Sequence, residues 1–253
     1  MECKETVVQV LSWAQLLGGP ACCWALLGAG RRTEYGRYAD PRDRCVANTR
    51  LVWMVQEIPA LLVPLVLLLS TETRSGAGRS LLLGTFCLHY FYRSLIYPWR
   101  TRGRPFPLHI AVKSFIFCSL NGMLQSHYLL HCAAAAAAQH SAAQLAVGLS
   151  LFSAGLIINI HSDTLLGNLR RPGELVYKIP RGGMFELVSG ANYFGEILEW
   201  CGYAVATWSL PAAAFCFFTA CNLGPRAIQH HRFYQQQFKD YPPSRKALIP
   251  FIL

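Results

Sequence analysis

The sequence predicts an all-α membrane protein of seven transmembrane helices, with its N-terminus lumenal and its C-terminus cytosolic. Three observations carry that expectation. Hydrophobic residues fill 53% of the 253 positions and charged residues 14%, against roughly 25% charge in an average soluble domain. The apolar residues fall in runs close to the ~20 that a bilayer-spanning helix needs. The basic residues, 23 Lys and Arg against 13 Asp and Glu, concentrate in alternate loops between those runs.

The composition excludes a disordered chain. It also argues against an ordinary soluble enzyme, which could not cover so much apolar surface with so few charges. Nucleic acid is not the expected partner of the +10 net charge, because the basic residues sit between apolar runs rather than in a stripe.

The first run, 7–30, is too long for a signal-peptide core and lacks a small-residue cleavage site, so it reads as a span. A basic loop, 31–50, follows. The second run, 51–70, is interrupted by Gln56-Glu57, Pro59 and Pro64. A short loop with Arg74 leads to the third run, 80–99, and the next loop holds Arg100, Arg102 and Arg104. The fourth run, 109–138, has a polar middle at Asn121, Gln125 and His127 and ends in an alanine tract that extends the helix. The fifth, 142–160, ends in Asn159, His161 and Asp163. After a polar stretch, residues 190–223 are apolar throughout, with Pro211 near the middle. That run is one over-long helix or two short ones hinged at the proline. The tail from 224 is basic and aromatic.

Charge decides between six spans and seven. With seven, the loops 31–50, 100–107 and 164–189 and the tail share one side, and the other side holds Lys4, Arg74 and Arg79. With six, the basic tail would cross over and spoil the bias. The chain therefore reads as one seven-helix domain, 1–253, without the internal repeat of many transporters. Its 10 cysteines show no paired C-x-x-C, so neither zinc nor a redox motif is expected. Most lie in apolar runs, where cysteine acts as a small hydrophobe, and free thiols without a disulfide framework are expected.

Ionisable residues inside spans mark functional sites by default. Glu57 lies about one turn into the second run, either solvated near the interface or lining a cavity. Tyr90, in the third run, is a packing aromatic or a hydrogen-bond donor beside that carboxylate. Asn159 and Asp163 are four apart on one helix face, followed by Arg170; they cap a helix end or line a site. Asn192, Glu196, Glu199, Trp200 and Tyr203 lie along one face of the sixth run, and two acids and an amide there are hard to explain as packing. Arg226, His230 and Tyr234 repeat every four residues on the last helix, as a solvated basic face or a binding face. No His pair stands four apart beside a carboxylate, so no metal is expected. These groups gather toward the basic loops, around an apolar interior. That combination suits an anionic cofactor and an apolar substrate. With no G-x-G-x-x-G and no Walker A, Arg31-Arg32 or Arg170-Arg171 are left to meet a phosphate.

The ordered segments Gln56-Glu57-Ile58-Pro59, His89-Tyr90-Phe91, Arg102-Gly103-Arg104-Pro105 and Asn159-Ile160-His161-Ser162-Asp163 match a known family. So do Leu169-Arg170-Arg171-Pro172-Gly173-Glu174, Ile179-Pro180-Arg181-Gly182-Gly183, Ala191-Asn192-Tyr193-Phe194-Gly195-Glu196 and Asp240-Tyr241-Pro242-Pro243-Ser244-Arg245-Lys246. The chain resembles the steroid 5-alpha-reductases over nearly its whole length, and resembles both steroid-reducing isoenzymes in different places. The resemblance implies an enzyme of the endoplasmic reticulum membrane that uses NADPH to saturate the C4–C5 double bond of 3-oxo-Δ4 steroids, with no obligate protein partner. It assigns Tyr90 and Glu57 to catalysis, and Trp53, Gln56 and Lys113 to the steroid. It assigns Arg104, Asn159, Asp163, Arg170, Tyr177, Lys178, Asn192, Glu196, Trp200, Arg226, His230 and Tyr234 to NADPH. The steroid cavity is expected mainly from helices 1–4 and the NADPH site mainly from helices 5–7 with their loops. Three positions depart from one isoenzyme's pattern: Lys113 and Lys178 stand where it has Arg, and Thr101 where it has Asn; Lys keeps the charge but loses the bidentate fork. Two other classes compete: a membrane methyltransferase using S-adenosylmethionine, and a sterol-binding protein without catalysis. The 2′-phosphate of NADPH separates the first, and consumption of NADPH the second.

Overall fold

The computed structural model describes residues 2–40, 42, 44–71, 77–101, 104–133, 141–169, 174 and 176–253. Arg74, Arg102, Gly103, the alanines at 134–138, and Arg170, Arg171, Pro172 and Gly173 were singled out by the sequence and lie outside those residues.

Helix α1 runs over Glu5–Leu27 and packs along the last helix. Helix α2 is Thr49–Ser70, and its start is fixed by Asn48, whose side chain accepts hydrogen bonds from the Arg50 and Leu51 amides, a strong N-cap. Pro59 and Pro64 lie inside it. They are tolerated where neighbours cover the freed backbone, and Gly122, on a helix packed against α2, brings its Cα side to the Pro59 carbonyl.

Helix α3, Ala77–Phe91, continues through a π-helical turn, Tyr92–Ile96, into α4, Tyr97–Arg100. Helix α5, Leu108–His127, ends in a second π turn, Tyr128–Cys132. Helix α6, Ala142–Asn168, is capped by Ser141, whose hydroxyl accepts from the Gln144 amide at 3.1 Å.

The over-long apolar run divides into α7, Ala191–Thr207, and α8, Leu210–Gln237. The break falls at Trp208, which adopts left-handed backbone (φ 45°), and Ser209 caps α8 through the Ala212 amide. Pro211 sits in the first turn of α8, where its missing N–H costs nothing; it starts the helix.

Helices α6 and α7 pack the most intimately. A Cβ on Gly155 would strike the Glu199 backbone, and one on Gly195 would come within 2.5 Å of the Asn159 amide, so only glycine permits this approach. The close approach brings α6 and α7 polar groups face to face. A small antiparallel ribbon, β1 (Val46–Ala47) on β2 (Phe106–Pro107), ties the loop after α1 to the start of α5. The core centres on Phe86, Tyr90, Trp200, Tyr203 and Phe215.

Among the described residues, three helices are long and apolar enough to cross a membrane: Glu5–Leu27, Thr49–Ser70 and Ala142–Asn168, with mean hydropathy 1.4, 2.0 and 1.8. Their outward faces carry large apolar side chains such as Leu17, Val66 and Ile157, each more than 60% exposed. Apolar surface on this scale is what a lipid environment covers.

One expectation is overturned. Cys3 and Cys132 form a disulfide, where free thiols were expected throughout. The two are 129 residues apart in sequence and their Cα atoms 4.9 Å apart in space. Spacing rules read local motifs and are blind to a pair joined only by the tertiary fold.

Candidate active site

Two cavities meet inside the bundle. The larger, about 680 Å³, falls within the roughly 300–1,000 Å³ typical of small-molecule sites. Its walls include Phe117, Phe215 and Phe218, with Gln56, Glu57, Tyr90, Arg93, Lys113 and Glu196 among its polar groups. The smaller, about 230 Å³, is lined by aromatic and basic side chains. Trp53, Tyr97, Asn192 and Arg226 line both, so the cavities are contiguous.

Glu57 and Gln56 reach the larger cavity from α2. Glu57 Oε2 accepts a hydrogen bond from the Cys118 thiol of α5 at 3.7 Å. Gln56 is buried with its Oε1 unpartnered. Tyr90, 3% exposed, comes from the end of α3. Its ring is fixed between Phe86 (centroids 4.8 Å), His89 (5.0 Å) and Trp200 (6.0 Å), and it lies within electrostatic reach of Glu57. Lys113 lines the same cavity from α5. Helices α7 and α8 also wall it, through Glu196 and Phe215.

The π turn after Tyr90 sets the next layer. A π turn widens the helix by one residue and recurs at functional sites. Here it carries Arg93, buried, whose guanidinium lies over the rings of Trp53 (4.9 Å) and Tyr97 (4.5 Å). Arg93 Nη1 donates to Asp163 Oδ2 at 3.3 Å. Asp163 Oδ1 accepts from Asn192 Nδ2 at 3.2 Å, and Asn159 Nδ2 donates to the Asn192 carbonyl at 2.9 Å. Asn159, Asp163 and Asn192 thus form one network between α6 and α7, held to the π turn after α3 by Arg93.

The predicted face of α7 divides. Asn192 and Glu196 line cavities. Glu199, Trp200 and Tyr203 turn into the core, where Glu199 Oε1 meets His89 Nδ1 at 2.8 Å. Trp200 lines neither cavity and braces Tyr90 from behind.

The smaller cavity gathers Arg37, Arg100, Arg104, Lys178 and Arg226 around one carboxylate, Asp163, among the described residues. Arg226 Nη1 donates to Tyr35 OH at 2.7 Å, and its Nε is buried without a partner. His230, Tyr234 and Tyr177 also line it. Lys178 is held by Glu174 at 2.8 Å. The Arg104 carbonyl accepts from the Thr49 hydroxyl, which ties that loop to α2. In the loop after α1, burial pushes the Tyr38 phenol up against the opposing pull of Arg37 and Arg32. It stays a donor, to the Gln229 carbonyl at 3.3 Å.

Such a cationic cavity with buried, unpartnered donors fits a polyanionic ligand. Of the residues that sequence reasoning assigned, Arg170 lies outside the described residues. Four others were missed. Arg93 stood inside an apolar run, and the rule that singled out Glu57 would have found it. Cys118 gave no signal, and His89 stood in the matched segment His89-Tyr90-Phe91 with no role assigned to it. Arg37 was one basic residue among many in its loop.

The chain matches the family model described as 3-oxo-5-alpha-steroid 4-dehydrogenase over residues 104–253. It is 51% identical over 222 residues to 3-oxo-5-alpha-steroid 4-dehydrogenase 2 of Sus scrofa, covering 86% of this chain and 87% of the relative. It is 49% identical over 244 residues to the Homo sapiens protein of the same name, covering 94% and 96%. To 3-oxo-5-alpha-steroid 4-dehydrogenase 1 of Homo sapiens it is 45% identical over 254 residues, covering 98% and 96%. A cavity carrying Glu57 and Tyr90 beside a cationic one, on a chain this similar along nearly its whole length, shows that the protein belongs to the 3-oxo-5-alpha-steroid 4-dehydrogenase family.

Proposed function

We propose that this protein reduces the C4–C5 double bond of 3-oxo-Δ4 steroids to 5α-dihydro steroids, with NADPH as reductant, in the endoplasmic reticulum membrane. The observation that carries this reading is the contiguity of the two cavities: a larger one that sets Glu57 and Tyr90 beside the rings of Phe117, Phe215 and Phe218, and a smaller one, rich in cations, sharing Asn192 and Arg226 with it.

The larger cavity takes the steroid, with Tyr90 and Glu57 at the 3-keto end, Trp53 and Gln56 in the wall, and Lys113 facing the far end. An enone is electrophilic at its β carbon, C5. Tyr90 donates a hydrogen bond to the ketone oxygen and stabilises the charge that develops there, while Glu57 fixes the donor's surroundings. The proton that completes the reaction reaches C4. When bound, the reduced nicotinamide supplies the hydride for C5. Arg226, Asn192, Asp163, His230, Tyr177, Tyr234 and Arg104 hold the cofactor, Asn159 orients Asn192, and Glu196 faces the junction. The apolar walls exclude water and align the partners.

The lumenal N-terminus has independent support. Cys3 precedes α1 and Cys132 ends the π turn after α5, so the four spans expected between them return the chain to the side of the N-terminus, whatever number of spans follows. Disulfides form and persist in the oxidising lumenal compartment.

The test uses purified protein in detergent with testosterone. Expected are NADPH oxidation at 340 nm and a product two hydrogens heavier that co-elutes with the 5α standard, with NADPH and not with NADH. Binding of NADPH without turnover would move the substrate to another enone. Binding of neither ligand would end the catalytic reading.

A further inference from the structure

The smaller cavity contains a cation whose setting the site described so far does not use. Arg37, in the loop after α1, is boxed by three rings: its guanidinium carbon lies 4.9 Å from the Tyr177 centroid, 4.6 Å from Phe233 and 4.9 Å from Tyr234. Arg37 Nη2 donates to Tyr234 OH at 3.2 Å, whereas Nη1 is buried with no partner. Among the described residues no carboxylate pairs with it, although Lys178 in the same cavity is paired with Glu174.

A buried, unpaired guanidinium donor is costly unless an anion completes it. The aromatic box holds the planar group by cation–π contact and leaves one edge of its fork free. The box is braced from behind. Tyr241 of the tail stacks on Tyr234 (5.5 Å, interplanar 4°), and its hydroxyl lies 2.5 Å from Ser189 Oγ, which also meets His231 Nδ1 at 2.6 Å.

Position along the ligand follows from the walls. The reacting end of a dinucleotide must face the substrate cavity, so it lies by the shared residues Trp53, Asn192 and Arg226. Arg37, Tyr177, Lys178 and Tyr234 line the smaller cavity alone, which puts them at the opposite, adenosine end. The phosphate found at that end is the one that distinguishes NADPH from NADH.

We infer that Arg37, held in its aromatic box, is the residue that reads the adenosine 2′-phosphate and sets the preference for NADPH. The assignment rests on the NADPH reading above. A guanidinium fork matches a phosphate dianion in charge and geometry.

The test is direct binding to the full chain in detergent, followed by quenching of tryptophan fluorescence. The probes are NADPH, NADH, 2′,5′-ADP and 5′-ADP; the variants are Arg37→Met and Arg37→Lys. Arg37→Met is expected to weaken NADPH and 2′,5′-ADP by about 10- to 100-fold and to leave NADH and 5′-ADP unchanged. Arg37→Lys is expected to fall between, since it keeps charge and loses the fork. Unchanged NADH binding also shows that the variant is folded. Equal weakening of NADPH and NADH overturns the assignment and would put Arg37 at a phosphate common to both. Unaltered discrimination overturns it as well. If the unmodified protein binds NADH as tightly as NADPH, the cofactor reading itself has failed, an outcome distinct from both.

Discussion

The two cavities are walled differently. The larger is cut between helices whose own packing fixes it: Tyr90 is wedged among Phe86, His89 and Trp200, and Glu57 is set by α2 against α5. The smaller depends on segments from far apart in the chain. The loop after α1 supplies Arg37, the stretch before α7 supplies Tyr177 and Ser189, and the tail supplies Tyr241 from behind. A helix-borne site is pre-organised by the core, whereas a loop-borne one is only as ordered as the contacts that staple its loops. On the proposed function, chemistry falls to the first and charge recognition to the second.

The largest effect is expected where the two cavities join. Asp163 is bonded to both Arg93 and Asn192, and Asp163→Ala leaves Arg93 a buried cation without that partner. Breaking a buried pair from one side costs about 3–5 kcal/mol. The melting temperature in detergent should drop, and affinity for steroid and cofactor should fall together. If only one ligand is affected, the network does not join the two sites.

Tyr90→Phe separates the cavities instead. The packing that holds the ring survives, and the donor is lost. The turnover number should fall by about 100-fold, which corresponds to about 2.7 kcal/mol, while NADPH affinity measured directly stays constant. Unchanged turnover of folded protein would remove Tyr90 from the chemistry.

How much of this was legible in the sequence follows the same division. Hydropathy located the first five apolar runs on helices, because a span's length and composition are local properties, but it left 190–223 open as one helix or two and stopped short of the end of α8 at Gln237. Steps of three and four found Asp163, Asn192 and Arg226, because helical periodicity is local as well. The same periodicity failed inside α7, where Glu199 and Trp200 share the face of Asn192 yet turn into the core to meet His89 and Tyr90. A helix face spans both a site and the packing behind it. The pairing of Cys3 with Cys132 and the box around Arg37 were illegible for one reason: their partners lie more than a hundred residues away, and nothing in the sequence pattern records that proximity.

Lys178 sharpens the contrast within the smaller cavity. Its side chain is 42% exposed and already paired with Glu174, and a solvated pair of this kind contributes about 0–1 kcal/mol. Lys178→Met should therefore weaken NADPH by no more than about fivefold. A loss as large as that expected for Arg37→Met would mean that Lys178 leaves Glu174 for the cofactor.

The smallest expected effect concerns the staple behind the smaller cavity. The tail is fastened by Arg245, buried, which donates to the Pro180 carbonyl at 2.8 Å and to Glu186 Oε2 at 3.0 Å. The Gly182 amide and Arg245 both bond the Glu186 carboxylate and hold it below its ordinary range. A carboxylate with a lowered folded value contributes stability that is fully present above its ordinary value, near 4.5. That contribution is lost as pH falls through the lowered value. Glu186 is half exposed, so after solvent screening the contribution is roughly a few tenths of a kcal/mol. Amide exchange over residues 245–248 should therefore quicken slightly as pH falls below about 4.5, beyond the intrinsic pH dependence of exchange. In Glu186→Gln that extra acceleration should be absent, and exchange at neutral pH should already be slightly faster. An acid-induced loosening that persists in the variant would assign it to another carboxylate and leave Arg245 anchored by the Pro180 carbonyl alone.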